Sequence, residues 1–300
     1  MLADITEVRL IVNPFASAVS EELVRAVEAE LSRAAAVRTV LTERAGHAVE
    51  LAAAADEGAI VVFSGDGGFN EVLNGVREGV PVGFLPGGGT SVLPRALGLP
   101  RDALAAAREV ADALEAGRTR TISLGRANGR RFAFAAGVGF DAELIRRVDA
   151  LGRNADGRRP GDLAFAATTA RFLAGRRARF DQALEISGLG RAAFALVANT
   201  DPYSFFGSRP LHVAPEASFE LGLDVVAPER VTPAGLPRLL GYVFTGRGQV
   251  EAEDVLYGHD LDRIEVAADR PLPLQVDGED LGDVERAVFE AERNALPVLI

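Results

Sequence analysis

The chain has 300 residues, 48% of them hydrophobic, and a formal net charge of −11. That length can bury a large core and usually divides into two domains, and the sequence holds no apolar run long enough to span a membrane as a helix. The acidic balance speaks against general nucleic-acid binding, and the lack of cysteine excludes disulfides, thiolate metal sites and a cysteine nucleophile.

Val8 to Val12 predicts a first strand, ending in the turn Asn13-Pro14-Phe15-Ala16-Ser17. Glu21 to Arg33 predicts an amphipathic helix with Leu23, Val27 and Leu31 on one face. Val37 to Leu41 reads as a strand ending at Thr42, and Gly46 to Asp56 as an alanine-rich helix. Val61-Val62-Phe63 is a short apolar strand. It runs into Ser64-Gly65-Asp66-Gly67-Gly68 and then a helix, with Phe69, Val72, Leu73 and Val76 at helical spacing and Asn70, Glu71 and Asn74 among them. Val80 to Leu85 reads as a fourth strand, leading through Pro86-Gly87-Gly88-Gly89-Thr90-Ser91 into another helix, and Leu104 to Ala116 is a further helix. Four short strands alternating with helices imply a doubly wound parallel α/β sheet over residues 1–121.

Ligands of such sheets bind at the carboxyl edge of the strands, where three of these turns and Thr42 fall. Glycine turns let backbone N–H groups approach an anion without hindrance from Cβ, and the helix that follows adds its own free N–H groups. Phosphate suits such a site. Asp66 beside a phosphate repels it unless a cation intervenes, which makes Asp66 a candidate magnesium-side carboxylate. Glycine-rich strand-to-helix turns also serve packing alone. No Gly-Lys-Ser/Thr follows, so this is not a P-loop, and the G-x-G-x-x-G spacing is absent.

After Thr121 the pattern changes. Ile122 to Ala127, Asn128-Gly129 and Arg131 to Ala136 read as a hairpin with an Asn-Gly turn. Gly137-Val138-Gly139-Phe140-Asp141 leads into a helix, and Gly161 to Ala174 is a second one. From Ala183 to Val276 the runs are short and strand-like, with Pro233 to Tyr242 helical, which predicts a mainly antiparallel, β-sandwich-like second domain over 122–284. Last come two short strands, Ala287 to Glu290 and Pro297 to Ile300. Arg146, Arg147, Arg153, Arg158, Arg159, Arg171, Arg176, Arg177 and Arg179 outnumber Asp149, Asp156 and Asp162 in one locally cationic segment. It could meet anionic lipid headgroups or be an ordinary solvated face. Phe165, Phe172 and Phe180 could line a lipid-tail groove or belong to the core, and Tyr203 to Phe206 could form a cleft wall, touch a membrane or serve plain packing.

Taken together these residues resemble the bacterial diacylglycerol kinase and lipid kinase family, which also includes sphingosine kinases. The resemblance runs through Asn13-Pro14, Thr42 to Ala48, Gly65-Asp66-Gly67 with Asn70-Glu71-Val72, and Leu85 to Thr90. It continues in Arg95 to Gly98, Gly137 to Asp141, Ala214 to Ala217 with Gly222-Leu223-Asp224, and Asp277-Gly278-Glu279. It implies a nucleotide-binding α/β domain, a lipid domain, a segment from about 285 to 300 returning to the first, and an active site in the cleft between them. ATP would be held by Asn13, Pro14, Ser17, Thr42, Ser64, Gly65, Asp66, Gly67, Gly68, Asn70, Glu71, Gly88, Gly89 and Thr90. His47 would lie near the nucleotide. Mg2+ would be held by Asp66, with a structural Mg2+ at Glu220 and Asp224. Asp277 or Glu279 would be the general base, since transfer to a hydroxyl needs a carboxylate for the proton. Asp-Gly alone reads equally as a hairpin turn.

Two loops depart from the family pattern. Ser64 and Gly68 stand where it has glycine and threonine, and Gly88 to Val92 lacks an Asn-Asp pair. The reading is an ATP-dependent kinase of a diacylglycerol-like or sphingoid lipid. It would be cytoplasmic, in peripheral contact with the membrane, and a homodimer is compatible with it. Met1-Leu2-Ala3-Asp4 has no basic region typical of a signal peptide. The rival readings are an NAD kinase-like enzyme and a non-catalytic nucleotide- or lipid-binding protein.

Overall fold

The computed structural model describes residues 5–55, 58–152 and 160–300. Met1 to Asp4, Asp56, Arg153, Asp156, Arg158 and Arg159, which carry parts of the reading above, lie outside the described residues. The chain forms two units, Met1–Ser123 with Asn294–Ile300, and Leu124–Arg293.

The first unit runs β1 (Glu7–Val12), α1 (Glu21–Leu31), β2 (Ala36–Leu41), α2 (His47–Ala53), β3 (Ala59–Ser64), α3 (Asp66–Gly75), β4 (Val82–Pro86), α4 (Val92–Ala96) and α5 (Ala103–Glu115). Its strands are parallel in the order β2-β1-β3-β4. β3 is buried at every position. A central strand covered on both faces loses its polar alternation, which is why its sequence is a continuous apolar run. Val8, Leu10 and Val12 pack in one cluster with Val27 and Leu31 of α1 and Val110 and Leu114 of α5. Phe84, alternating with Leu85 along β4, meets the ring of Phe69 of α3 edge-on at 5.4 Å. Each fully buried side chain of this size stabilises by roughly 1.5–3 kcal/mol relative to exposure. Ser20 Oγ accepts the Leu23 amide at 3.2 Å to start α1, and Asp102 caps Ala105 of α5 at 2.8 Å. Helices α2 and α3 pack so closely that a Cβ on Gly75 would lie 2.2 Å from the Val49 carbonyl oxygen.

The second unit begins within β5 (Arg120–Ala127) and continues through β6 (Arg130–Phe132), β7 (Ala135–Val138), α6 (Phe140–Asp149), α7 (Asp162–Gly175), β8 (Leu184–Ile186), β9 (Gly190–Ala192) and β10 (Ala195–Ala198). The chain then forms β11 (Ser204–Phe206), β12 (Arg209–Leu211), β13 (Leu223–Pro228), α8 (Leu236–Thr245), β14 (Val255–Leu261), β15 (Arg263–Val276) and β16 (Glu279–Val298). The order β14-β13-β10-β7-β15-β16 is antiparallel throughout. Phe132, Leu184, Val197, Val225, Leu274 and Phe289 belong to its buried core. Asn128 and Gly129 both take positive φ, 48° and 88°, as the Asn-Gly hairpin turn between β5 and β6 requires.

Two expected strands differ in the structure. The run from Arg131 to Ala136 breaks after Phe132, because the amides of Ala133 and Phe134 leave the ladder to bond the Asp277 carboxylate. The two short terminal strands are one, β16, whose residues to Arg293 belong to the second unit and whose remainder belongs to the first. Val298 pairs with Val82 in parallel, and Leu299 is fully buried in the first unit's core. The return to the first unit thus begins at Asn294 rather than near 285.

β13 and β14 are pinned by Asp224, which is fully buried. Its carboxylate accepts the Tyr257 hydroxyl at 2.9 Å, the Asp260 amide at 3.0 Å and His259 Nδ1 at 2.9 Å. That hydrogen bond, opposed by partial burial and helped by the charges of Asp224, Glu216 and Asp260, raises the His259 pKa above its usual 6.5. A raised folded pKa means that the ion pair's stability is fully present below the unfolded pKa and is lost as pH rises through the folded value. His259→Gln is expected to lower the urea midpoint more at about pH 5.5 than at about pH 8.5; equal losses would remove the charge from this contact. Gly75→Ala is expected to cost about 1–3 kcal/mol by urea denaturation, from overpacking against Val49, and an unchanged midpoint would contradict the close approach of α2 and α3.

Candidate functional site

Three turns of the first unit are tied together at the carboxyl ends of β1, β3 and β4. The Gly87 amide donates to the Ser64 carbonyl at 2.7 Å, and the Gly87 carbonyl accepts the Ala18 amide at 2.9 Å. The Asn13 amide donates to the Phe63 carbonyl at 3.0 Å, and the Thr42 amide to the Val12 carbonyl at 2.8 Å. Asn13 Oδ1 accepts the Phe15 amide at 3.0 Å, which closes the Asn13-Pro14-Phe15 turn. Ser17 is exposed and Thr42 is buried. Gly65 and Gly88 meet backbone to backbone, and a Cβ on Gly88 would lie 2.9 Å from the Gly65 Cα. Ser91 Oγ bonds both ends of Gly88, accepting its amide at 3.1 Å and donating to its carbonyl at 3.2 Å. Gly89 is exposed and Thr90 half-buried beside it.

Gly65 caps α3 without a side chain, so the first-turn N–H groups of a ten-residue helix open between these glycine turns. That arrangement suits an oxyanion. Asp66, half-buried in that first turn, accepts the Leu93 amide at 3.3 Å through Oδ1 and so ties α3 to α4.

Two residues expected at the nucleotide are turned elsewhere. Asn70 is fully buried, and its Oδ1 accepts from Asn74 Nδ2 at 3.2 Å. Glu71 accepts the amides of Gly46 at 2.9 Å and Ala48 at 3.1 Å, one with each oxygen, which makes it the cap that α2 lacks in its own sequence. The helical repeat carries both past the first turn, onto faces occupied by protein. His47 Nδ1 accepts the Glu43 amide at 3.1 Å and shapes the same loop. The departures at 64 and 68 prove to be one feature. A Cβ on Gly68 would lie 2.1 Å from Ser64 Oγ, so the Ser64 side chain fills the place of a side chain at 68.

In the second unit Asp277-Gly278 is the two-residue turn of the β15–β16 hairpin, with φ of 47° and 82°. The hairpin reading of Asp-Gly therefore holds, but its carboxylate does more than a turn requires. Asp277 is buried and accepts three main-chain amides, Ala133 at 2.7 Å, Phe134 at 3.0 Å and Ala135 at 3.2 Å. Glu279 is half-buried and paired with Arg130 Nη2 at 2.6 Å. Behind the turn, Gln275 Oε1 accepts the Gly278 amide at 3.0 Å, while its Nε2 donates to Asp141 at 2.7 Å and to the Tyr203 hydroxyl at 3.2 Å. The Tyr203 hydroxyl also bonds Asp141, at 2.8 Å. Burial pushes the Asp141 carboxyl up, and the bonds from Tyr203 and Gln275 pull it back. Asp141 and Gln275 have no individual role legible in the sequence, and Tyr203 reads there only as part of an aromatic loop. Asp141 lies in a motif noted there, but nothing in the linear order joins it to residues so far away.

Glu220 and Asp224, expected at a structural Mg2+, both have partners within the chain. Asp224 is taken up by Tyr257, His259 and Asp260 as described, and Glu220 is bonded by Ser218 Oγ. Among the described residues no group of three or more His, Asp or Glu stands close enough to hold an ion. The arginine segment is partly spent within the fold. Arg146 pairs with Asp280 and Asp283, each at 2.7 Å, Arg147 with Glu143 at 2.6 Å, and Arg176 lies over the rings of Phe172 and Phe180. Phe140, Phe172, Phe180 and Phe194 form one aromatic cluster. Tyr203 is core, whereas Phe206 is exposed.

Residues 7–127 match the diacylglycerol kinase catalytic domain, and residues 135–300 match the YegS C-terminal NAD kinase beta sandwich-like domain. The chain is 38% identical over 107 residues to a diacylglycerol kinase of Bacillus subtilis and 34% identical over 119 residues to a Streptococcus pneumoniae protein described as a lipid kinase. Those alignments span 35% and 38% of this chain and only 34% and 39% of the two relatives. The fold is that of a Bacillus anthracis protein described as a diacylglycerol kinase, with a TM-score of 0.78 at 20% identity over 100% of this chain and 96% of that one. A second B. anthracis structure, of a diacylglycerol kinase, gives 0.72 at 18% identity over 99% and 98%. With both halves matched in order, the chain belongs to the bacterial diacylglycerol and lipid kinase family.

Proposed function

We propose that the chain transfers the γ-phosphate of ATP to the hydroxyl of a diacylglycerol-like lipid. The observation that carries this reading is the set of glycine turns around the N-terminus of α3, joined by Gly87 to the turns after β1 and β3. Triphosphate oxygens suit that set, because its donors are main-chain N–H groups and its closest approaches are between glycines. Asp66 is the carboxylate at the same end of α3 and would be the protein's ligand to Mg2+. Bound with ATP, Mg2+ supplies positive charge against the phosphate oxygens.

Asp277 is the base of this reading. The acceptor hydroxyl oxygen forms its bond to the γ-phosphorus as the bond from that phosphorus to the ADP oxygen breaks, and the hydroxyl proton passes to Asp277. Three amides hold this carboxylate in one orientation. In a loose phosphoryl-transfer transition state, orientation counts for more than basicity. Glu279, neutralised by Arg130, is less suited to take the proton. The lipid would be met at a membrane surface. Among the described residues no helix is long and apolar enough to cross a membrane. In this reading the contact is peripheral and on the cytoplasmic side.

The test is transfer of radiolabelled γ-phosphate from ATP, with diacylglycerol, sphingosine and NAD offered in parallel. Label is expected in diacylglycerol, and Asp277→Ala is expected to lower it about 10²–10⁴-fold while Glu279→Ala keeps most of it, thermal melts confirming that both variants fold. Label in NAD alone would turn the assignment to an NAD kinase. Label in no acceptor, from a protein that binds ATP, would make it a binding protein. A folded Asp277→Ala with wild-type transfer would remove Asp277 as the base.

A further inference from the structure

Helix α8 carries Leu236, Leu239, Leu240, Tyr242, Val243 and Phe244 in ten residues, yet none of its residues is buried. At about 100° per residue these six cover more than half of the helix's circumference. A helix lying on a core needs a narrower stripe. Leu236 and Leu239 supply it, packing against Phe194 and Val231. Leu240 and Phe244, one turn apart, carry the apolar arc past the packed side and are 43% and 51% exposed. Gly246, at φ 67°, ends the helix, and Arg247 and Val250 beyond it are exposed as well. The β11–β12 hairpin lies alongside. The His212 amide donates to the Val243 carbonyl at 2.7 Å, and Gln249 Nε2 donates to the carbonyls of His212 at 3.3 Å and Val213 at 3.2 Å. That hairpin exposes Phe206 and Arg209.

We propose that the outer side of α8, with the hairpin beside it, docks on an anionic lipid bilayer. Charge selects the occupant. Residues 204–212 and 232–250 hold Arg209, Arg238 and Arg247 and no carboxylate, in a chain of net charge −11. Asp254 pairs with Arg238 and leaves the exposed Arg209 and Arg247 to border the apolar residues. A basic rim around exposed leucine and phenylalanine suits a surface with negative headgroups over an apolar interior. α8, about 15 Å long, would lie in the headgroup plane. A face paired with a second copy of itself would gather the arginines of both copies with no carboxylate to offset them. The choice of a bilayer rests on the lipid-kinase reading. It places the contact on α8 and not on the arginine segment between Arg146 and Arg179.

The test uses the full-length chain with vesicles of phosphatidylcholine alone or mixed equally with phosphatidylglycerol. Phe244→Trp gives a single tryptophan to a chain that has none. Its emission is expected to shift to the blue with the anionic vesicles and much less with the neutral ones. A blue shift from Leu163→Trp on α7, with none from Phe244→Trp, would move the docking face and overturn the proposal. In vesicle sedimentation the double variant Leu240→Gln, Phe244→Gln is expected to bind about ten- to hundredfold more weakly, and Arg247→Gln about fivefold more weakly. Both should keep the wild-type urea midpoint, because the replaced side chains already meet solvent. A large fall in midpoint would place them inside the fold and overturn the proposal. Phosphate transfer separates docking from catalysis. With short-chain diacylglycerol dispersed as monomers, the double variant should match wild type, and with diacylglycerol held in anionic vesicles its rate should fall with its binding. Wild type that docks but labels neither substrate overturns the lipid-kinase reading and leaves the docking face. Equal vesicle binding by wild type and the double variant overturns the docking face and leaves the kinase reading. A dimer that the double variant breaks would make this face a contact between copies and overturn the proposal.

Discussion

Gly65 and Gly88 touch through their backbones, and the turns of the first unit are arranged by that contact. With a side chain on Gly88 the two loops would be forced apart, and the bond from the Gly87 amide to the Ser64 carbonyl would be stretched with them. The turn after β1 hangs on the same residue through Ala18. One close approach therefore places the ends of three strands in a fixed relation, and helix α3 starts with its N–H groups facing the space they share. Glycine here serves geometry before chemistry. The anion-binding character follows because a loop stripped of side chains for packing also exposes its main-chain donors.

The second unit holds its carboxylates by a different principle. Asp277, Asp141 and Asp224 are each embedded among donors, and each does structural work. Asp277 draws the Ala133 and Phe134 amides out of the sheet ladder, Asp141 fixes Gln275 behind the hairpin turn, and Asp224 joins β13 to β14. A buried carboxylate left without donors costs several kcal/mol, so their partners are part of the fold. Asp277 takes three of its donors from the main chain, which fixes its orientation.

Elements whose cause is local were legible in the sequence. The strand-helix alternation of the first unit follows from apolar period and capping residues, and β3 could be recognised as central because Val61 to Phe63 shows no alternation. The glycine turns could be located for the same reason. Roles set by distant partners were not legible. Glu71 reads as a site residue until the amides of Gly46 and Ala48 are seen against it. Asp224 reads as a metal ligand, and its bonds to Tyr257 and His259 have no signal in the sequence. The break after Phe132 has no local signal, because its cause lies at Asp277. Nor could the sequence show that Ser64 and Gly68 compete for one volume, since a helical turn brings them together only after folding.

The last strand has a consequence for how the protein is made. Leu299 belongs to the buried core of the first unit, and Val298 continues its sheet beside β4. A ribosome releases β1 to α5 early, then must build all of Leu124–Arg293 before the residues that finish that sheet exist. At about 5–20 residues per second, the interval is on the order of ten seconds. For that time β4 waits with an unpaired edge, a template for any extended segment that passes. Nascent chains of this protein thus lack the parallel pairing of Val298 with Val82 that the finished molecule has.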